Sequence, residues 1–233
     1  MILEAEKLCA WYGAAQILFD VSFDVRGGEV VALMGRNGAG KTTTMKAIMG
    51  LVGRRAGSVR FDGTELVELQ TFQIARLGLG WVPEDRRIFT DLTVLENLDV
   101  GRRAANDGAA WTPERLFRLF PNLAEMRERA GGRMSGGEQQ MLSVARTLMG
   151  NPRLVLLDEP SEGVAPIVVE RMAEAIIEMK KLGLSVLLSE QNLPFSGLVA
   201  DRVYILEKGH ISWSGAMREL EASPEVQRQF LGV

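Results

Sequence analysis

Cysteine and histidine each occur only once in this 233-residue sequence, as Cys9 and His210. One cysteine excludes an intrachain disulfide framework and suits a reducing cytosol; Cys9 is expected to be a buried structural thiol. His210 falls in the hairpin-like run Glu207-Lys208-Gly209-His210 and reads as a surface turn residue. An excess of either charge is also missing. The 27 Lys and Arg face 30 Asp and Glu, a net charge of −3, so the basic footprint of a DNA- or RNA-binding protein is absent and no nucleic-acid partner is expected. No apolar run approaches the roughly 18 residues that a membrane helix needs. The N-terminus, MILEAEKLCAWYG, carries acidic residues from position 4 and lacks the apolar stretch of a signal peptide. A soluble chain is expected, with any membrane role exercised through a partner. Repeats, low-complexity tracts and long linkers are absent too, and residues 104–110 read as a loop.

What is present suits one large α/β domain, since 46% of the residues are apolar. Residues 30–34, 154–157 and 185–189 are short apolar runs of the kind buried on both faces of a parallel sheet. Helical patterns lie between them. Residues 43–51 form one, closed by Gly50 or Gly53. Residues 135–149 form another, opening on a capping box of Ser135 and Glu138. Residues 168–182 form a third, followed by Gly183. This alternation predicts α/β architecture. Residues 1–30 and parts of 58–68 alternate over shorter lengths with glycine turns, as an antiparallel sheet would. Residues 86–150 are rich in helix formers and read as a helical insertion.

Gly35-Arg36-Asn37-Gly38-Ala39-Gly40-Lys41-Thr42, continued by Thr43, fits the phosphate-loop pattern G-x-x-x-x-G-K-S/T between a strand and a helix. Glycines let backbone N–H groups point at phosphate oxygens, and the helix N-terminus adds positive potential. Lys41 is then expected on the β- and γ-phosphates and the Thr42 hydroxyl on Mg²⁺. GTPases read guanine with N-K-x-D, which is absent, but nucleotide kinases share the loop, so the loop alone leaves the class open. Leu154-Val155-Leu156-Leu157-Asp158-Glu159-Pro160 ends an apolar strand in two carboxylates. Asp158 suits Mg²⁺, directly or through water. Glu159 suits a group that orients or deprotonates the attacking water.

Met134-Ser135-Gly136-Gly137-Glu138-Gln139-Gln140 resembles the signature of ABC ATPases, usually L-S-G-G-E/Q-Q. The order of phosphate loop, signature and acidic pair spans essentially the whole chain. The resemblance implies a P-loop NTPase fold of ABC type: a parallel-sheet core with an antiparallel β subdomain and an inserted helical subdomain. It implies one ABC domain over 1–233, with a nucleotide-binding core over about 1–85 and 151–233 and a helical signature subdomain over about 86–150. Ser135, Gly136, Gly137 and Glu138 would then contact ATP held by a second ABC ATPase subunit, and two such subunits would close on two Mg·ATP. Tyr12 stands where the family places an aromatic on adenine. Trp11 beside it is a substitute for that role, and aromatic core packing is the competing explanation.

Two positions depart from the general family pattern. Glu84, in Trp81-Val82-Pro83-Glu84-Asp85-Arg86-Arg87, stands where most members carry Gln, and would bring a second anionic ligand toward Mg²⁺. Gln191, in Glu190-Gln191-Asn192, stands where most carry a switch His; it can donate to the γ-phosphate but cannot become cationic near neutral pH. Together with the run of residues 158–166, these features resemble the ATPases of bacterial branched-chain amino acid uptake systems. Asp85 replaces a glycine frequent in that group, and Met134 a leucine. The implied assembly adds two transmembrane permease subunits and, indirectly, a solute-binding protein, on the inner face of the cell membrane. Importers for urea or short amides use similar ATPases. Residues 161–166 would cross the dimer interface, although an ordinary exposed loop reads the same way. A non-transport ABC ATPase is a further reading, against which stand the missing coiled-coil insertion and basic surface.

Overall fold

The computed structural model describes residues 1–104 and 110–232; residues 105–109 of the loop expected over 104–110 lie outside the described residues. In chain order the strands are β1 (Leu3–Tyr12), β2 (Ala15–Val25), β3 (Val30–Met34), β4 (Arg54–Phe61), β5 (Thr64–Glu65), β6 (Leu79–Val82), β7 (Leu154–Asp158), β8 (Ser185–Glu190), β9 (Arg202–Glu207) and β10 (His210–Ala216). The α-helices of five or more residues are α1 (Lys41–Ile48), α2 (Thr71–Arg76), α3 (Val94–Gly101), α4 (Pro113–Leu119), α5 (Pro121–Glu125), α6 (Gly136–Leu148), α7 (Pro166–Lys181), α8 (Leu193–Val199) and α9 (Met217–Glu221).

Six strands form one sheet in the order β10-β9-β3-β8-β7-β6, parallel except for the edge strand β10. Their apolar runs are unbroken because each face of the sheet meets a different core. On β7, Leu154 and Leu156 enter the core shared with α1 and the antiparallel strands, while Val155 and Leu157 enter the core shared with α6 and α7. On β8, Leu187 faces the first of these cores, and Val186 and Leu188 the second. All seven side chains are fully buried, and each such burial contributes about 1.5–3 kcal/mol. The second sheet, β2-β1-β4-β5, is antiparallel throughout. Residues 94–148 hold α3 to α6 and, among the described residues, no strand.

α1 begins at Lys41, two residues before the expected start at Thr43, because Gly40 supplies the left-handed turn into it (φ 113°). α7 begins at Pro166 rather than Val168, since proline's fixed φ suits the first helical position. α6 has the expected cap: Glu138 N–H donates to Ser135 Oγ (3.4 Å), and Ser135 N–H donates to Glu138 Oε2 (2.6 Å). Cys9 is half-buried, not buried as expected; it lies on β1 with its thiol against Asp20 of β2, 3.5 Å from Oδ1. Lys208 and Gly209 turn β9 into β10 with positive φ at both positions. His210 is exposed and stacks on Phe19 with ring centroids 5.0 Å apart.

Candidate active site

The parallel strands β3, β8 and β7 lie side by side, so their C-terminal ends deliver three chemically different segments to one edge, the usual place for ligands in such sheets. β3 delivers residues 35–42, β7 delivers Asp158 and Glu159, and β8 between them delivers Glu190 and Gln191. Gly35 takes φ 143°, and a Cβ there would stand 2.3 Å from the Leu206 carbonyl oxygen. Gly40 takes φ 113°, with Leu18 Cδ2 2.8 Å from the place of a Cβ. At Gly35 a side chain would run into backbone; at Gly40 Leu18 would have to shift, and the positive φ is strained for any other residue. Gly209 N–H donates to Ala39 O (2.9 Å), so the β9–β10 turn braces the loop from behind. α1 has no side-chain cap and no acid in its first turn, leaving its first N–H groups for an anion.

Lys41 is buried behind this loop. Its Nζ donates to Gly35 O (2.8 Å) and Arg36 O (3.4 Å) and pairs with Glu159 Oε1 (3.1 Å). Gln191 Nε2 donates to Glu159 Oε2 (3.2 Å) and to Asn37 Oδ1 (2.6 Å), tying the acidic strand to the phosphate loop. Glu159 itself has a left-handed backbone (φ 48°), and its N–H is anchored on Ser189 O (2.9 Å). Burial raises the Glu159 pKa, but hydrogen bonds from Glu162, Lys41 and Gln191 and the Lys41 charge outweigh it, so the carboxyl stays below its ordinary value.

Asp158 behaves oppositely. Burial, with the negative charges of Glu159 and Glu84, pushes its carboxyl above the usual aspartate range. Its Oδ1 accepts from Thr42 Oγ1 (3.1 Å), while Oδ2 is buried without a hydrogen-bond partner. An orphaned carboxylate oxygen beside a threonine hydroxyl fits a hard divalent cation. Among the described residues no three His, Cys, Asp or Glu side chains cluster as a metal cage. Such a cation would therefore take most of its ligands from phosphate and water, as Mg²⁺ does.

A cleft of about 490 Å³ opens over these groups. Of the residues singled out in the sequence, Tyr12, Asn37, Gly38, Gly40, Lys41, Thr42, Thr43, Glu84 and Glu159 line it. Tyr12 is 46% exposed on its wall, whereas Trp11 lies under Arg54, 4.4 Å from the ring centroid. Gly35, Arg36 and Ala39 form the loop without lining the cleft. Ser135, Gly136, Gly137 and Glu138 stand apart at the start of α6 and do not line it either. Ile17 lines it too, as does Glu162, which the sequence offers only as a member of the 161–166 loop. Glu190 also belongs to the site, although nothing in the sequence sets it apart from its polar neighbours Gln191 and Asn192. It is buried and accepts from the N–H groups of Ser161, Gln191 and Asn192 (3.0, 3.1 and 3.1 Å), which fixes both loops around Glu159. Three carboxylates facing a single lysine and a helix N-terminus, with an aromatic on the rim, suit a polyphosphate carrying a cation and a base.

Residues 18–162 match the ABC transporter family. The chain belongs to that family. This ABC ATPase is 42% identical to the high-affinity branched-chain amino acid transport ATP-binding protein BraG of Pseudomonas aeruginosa, over 99% of this chain and all of that one. It is also 36% identical to the lipopolysaccharide export system ATP-binding protein LptB of Escherichia coli K12, over 99% of this chain and 97% of that protein. Among solved structures, the ATP binding subunit of an ABC transporter superposes with a TM-score of 0.83 at 29% identity, covering 100% of this chain and 97% of that one. The α/β fold expected from the sequence is thus the ABC ATPase fold, and the chain is an ATP-hydrolysing ABC transporter ATPase. Among the described residues no helix is long and apolar enough to cross a membrane.

Proposed function

We propose that this ABC ATPase is the motor of an importer for branched-chain or other hydrophobic amino acids, acting on the inner face of a bacterial cell membrane. The observation that carries the reading is the Lys41–Glu159–Gln191–Asn37 chain of contacts, which joins the residues that would serve as phosphate-binding cation, base and γ-phosphate donor at one edge of the sheet. The likeness to BraG along the whole chain supports the solute class. Tyr12 would take the adenine, and residues 35–43 the phosphates. Thr42, Asp158 and Glu84 would hold Mg²⁺, which when bound neutralises charge on the β- and γ-phosphate oxygens. Glu159 would orient and deprotonate water, Lys41 would move from Glu159 to the phosphates, and Gln191 would turn its amide from Glu159 toward the γ-phosphate.

Ser135, Gly136, Gly137 and Glu138 lie outside this chain's own cleft, as residues serving the nucleotide of a second, identical or related ATPase subunit would. Residues 86–150 would move as a signature subdomain against a core of 1–85 and 151–233. Between them a groove of about 390 Å³, lined in part by Trp81, Phe89, Val100 and Arg146, offers exposed apolar side chains to a permease helix. Two permease subunits and a solute-binding protein complete the system. ATP-dependent uptake of labelled leucine into vesicles holding this chain, its permeases and the binding protein tests the reading. The likeness to LptB makes export the competing outcome: outward movement of lipid with no uptake would overturn import. Uptake of urea or a short amide instead would overturn only the solute.

A further inference from the structure

The loop that carries Glu84 is fastened to the signature helix α6 by two hydrogen bonds and packs against its first residue. Arg86 and Arg87 both have left-handed backbones (φ 62° and 48°), which non-glycine residues hold only when neighbouring groups over-determine them. Arg86 N–H donates to Pro83 O (3.1 Å) and Arg87 N–H to Asp85 O (2.6 Å), a double turn that leaves the carbonyls of Arg86 and Arg87 free to accept from α6. Ser143 Oγ donates to Arg86 O at 2.6 Å, and Arg146 Nη2 donates to Arg87 O at 2.6 Å. Ser143 and Arg146 are three residues apart, hence on one face of the helix. Ser143 is fully buried and Arg86 half-buried, so water reaches this bond from the loop side only. At the other end of α6, the Arg86 guanidinium covers Gly136: a Cβ there would stand 2.6 Å from Nη1.

One short loop therefore fixes two things together. It sets the place of Glu84 at the cleft of its own chain, and it touches the start of α6, the segment proposed to meet the nucleotide of the second subunit. We propose that Ser143 and Arg146 are positioning residues for ATP hydrolysis: by holding the carbonyls of Arg86 and Arg87 they keep Glu84 and Gly136 in one rigid unit. This rests on the roles given above to Glu84 and the signature. A merely structural pair of hydrogen bonds would lower stability without acting through Glu84; a positioning pair must act through it.

The test is a double-mutant cycle on the purified chain, with Ser143→Ala, Glu84→Ala and the combination, read as kcat at saturating Mg·ATP and as Kd for ATP without Mg²⁺. Ser143→Ala is expected to lower kcat roughly tenfold, the factor one buried hydrogen bond supplies, to leave Kd within about twofold, and to cost nothing further in the Glu84→Ala background. An equal loss of kcat in both backgrounds, or a weakened Kd with kcat intact, overturns the inference. Should Ser143→Ala not fold, Arg146→Met is read by the same criteria. If Glu84→Ala alone leaves kcat unchanged, the role of Glu84 fails and takes this inference with it; additive losses sink the positioning role alone.

Discussion

Lys41 Nζ lies 3.1 Å from Glu159 Oε1, and only 3% and 7% of the two side chains is exposed. The cation that suits a phosphate is thus neutralised by the carboxylate that suits the attacking water. With the roles proposed above, binding of a triphosphate would exchange the partner of Lys41 and release Glu159 when a substrate is present. In this pairing neither buried charge is left without an opposite one.

Lys41→Met should destabilise the nucleotide-free protein by about 3 kcal/mol, the low end for breaking a buried pair and leaving one charge behind. Most of this loss should return in Lys41→Met with Glu159→Gln, because the orphaned charge is then gone. Urea unfolding without nucleotide measures both. A double variant as unstable as Lys41→Met would place the loss in the lysine's bonds to Gly35 and Arg36 instead.

Glu159→Gln keeps the shape of the side chain and removes the base. Hydrolysis should fall by about 10²–10⁴, the usual contribution of such a group, while ATP affinity is retained. The ATP-bound dimer should then accumulate on size exclusion. Turnover at the wild-type rate with no dimer would exclude Glu159 as the base.

The parts of this site that a single sequence reveals are contiguous. Residues 35–42 announce themselves by glycine spacing, Asp158 and Glu159 by the apolar run before them, and α6 by a cap completed within four residues. What stays hidden is built from distant segments. Asn37 and Gln191 are 154 residues apart, and Ser143 and Arg86 are 57 apart. Arg202 reaches back to Asp24 and Glu29 (2.6 and 2.5 Å), joining β9 to β2 and to the start of β3. None of these pairs has a periodicity to betray it. β6 escaped for another reason: four residues, LGWV, are too few to show a strand pattern, and pairing with β7 makes them one. Glu162 was visible only as part of a loop, and its place in the cleft follows from how β7 and β8 end together.

Gln191 occupies a position from which an imidazole would titrate beside Glu159. Its amide bonds to Glu159 and Asn37 do not change with pH. The wild-type kcat profile should therefore show no step near pH 6–7 that depends on residue 191, and Gln191→His should introduce one, at or above the ordinary histidine value of about 6.5 because a carboxylate adjoins it. A steep wild-type transition in this range, abolished by Gln191→Ala, would contradict this. A step common to all three proteins belongs to another group.

Glu162 is the group placed to supply such a step. Its hydrogen bond with Glu159, some burial, and the charges of Glu159, Glu84 and Glu190 push its carboxyl from the ordinary 4.5 up to about 7. Between those values the folded protein holds a proton that the unfolded chain has lost, so the unfolded state binds fewer protons and stability must fall as pH rises. The stabilising share is fully present below about pH 4.5 and is gone above about pH 7. Asp158 and Glu190 are raised chiefly by burial and act in the same direction, while the lowered Glu159 acts oppositely at more acid pH. The Tm of the nucleotide-free protein should accordingly decline from pH 5 to pH 8, and Glu162→Gln, which cannot titrate, should flatten that decline. If the slope is the same in the variant, the proton that causes it resides on another group, such as Asp158 or Glu190, and not on Glu162.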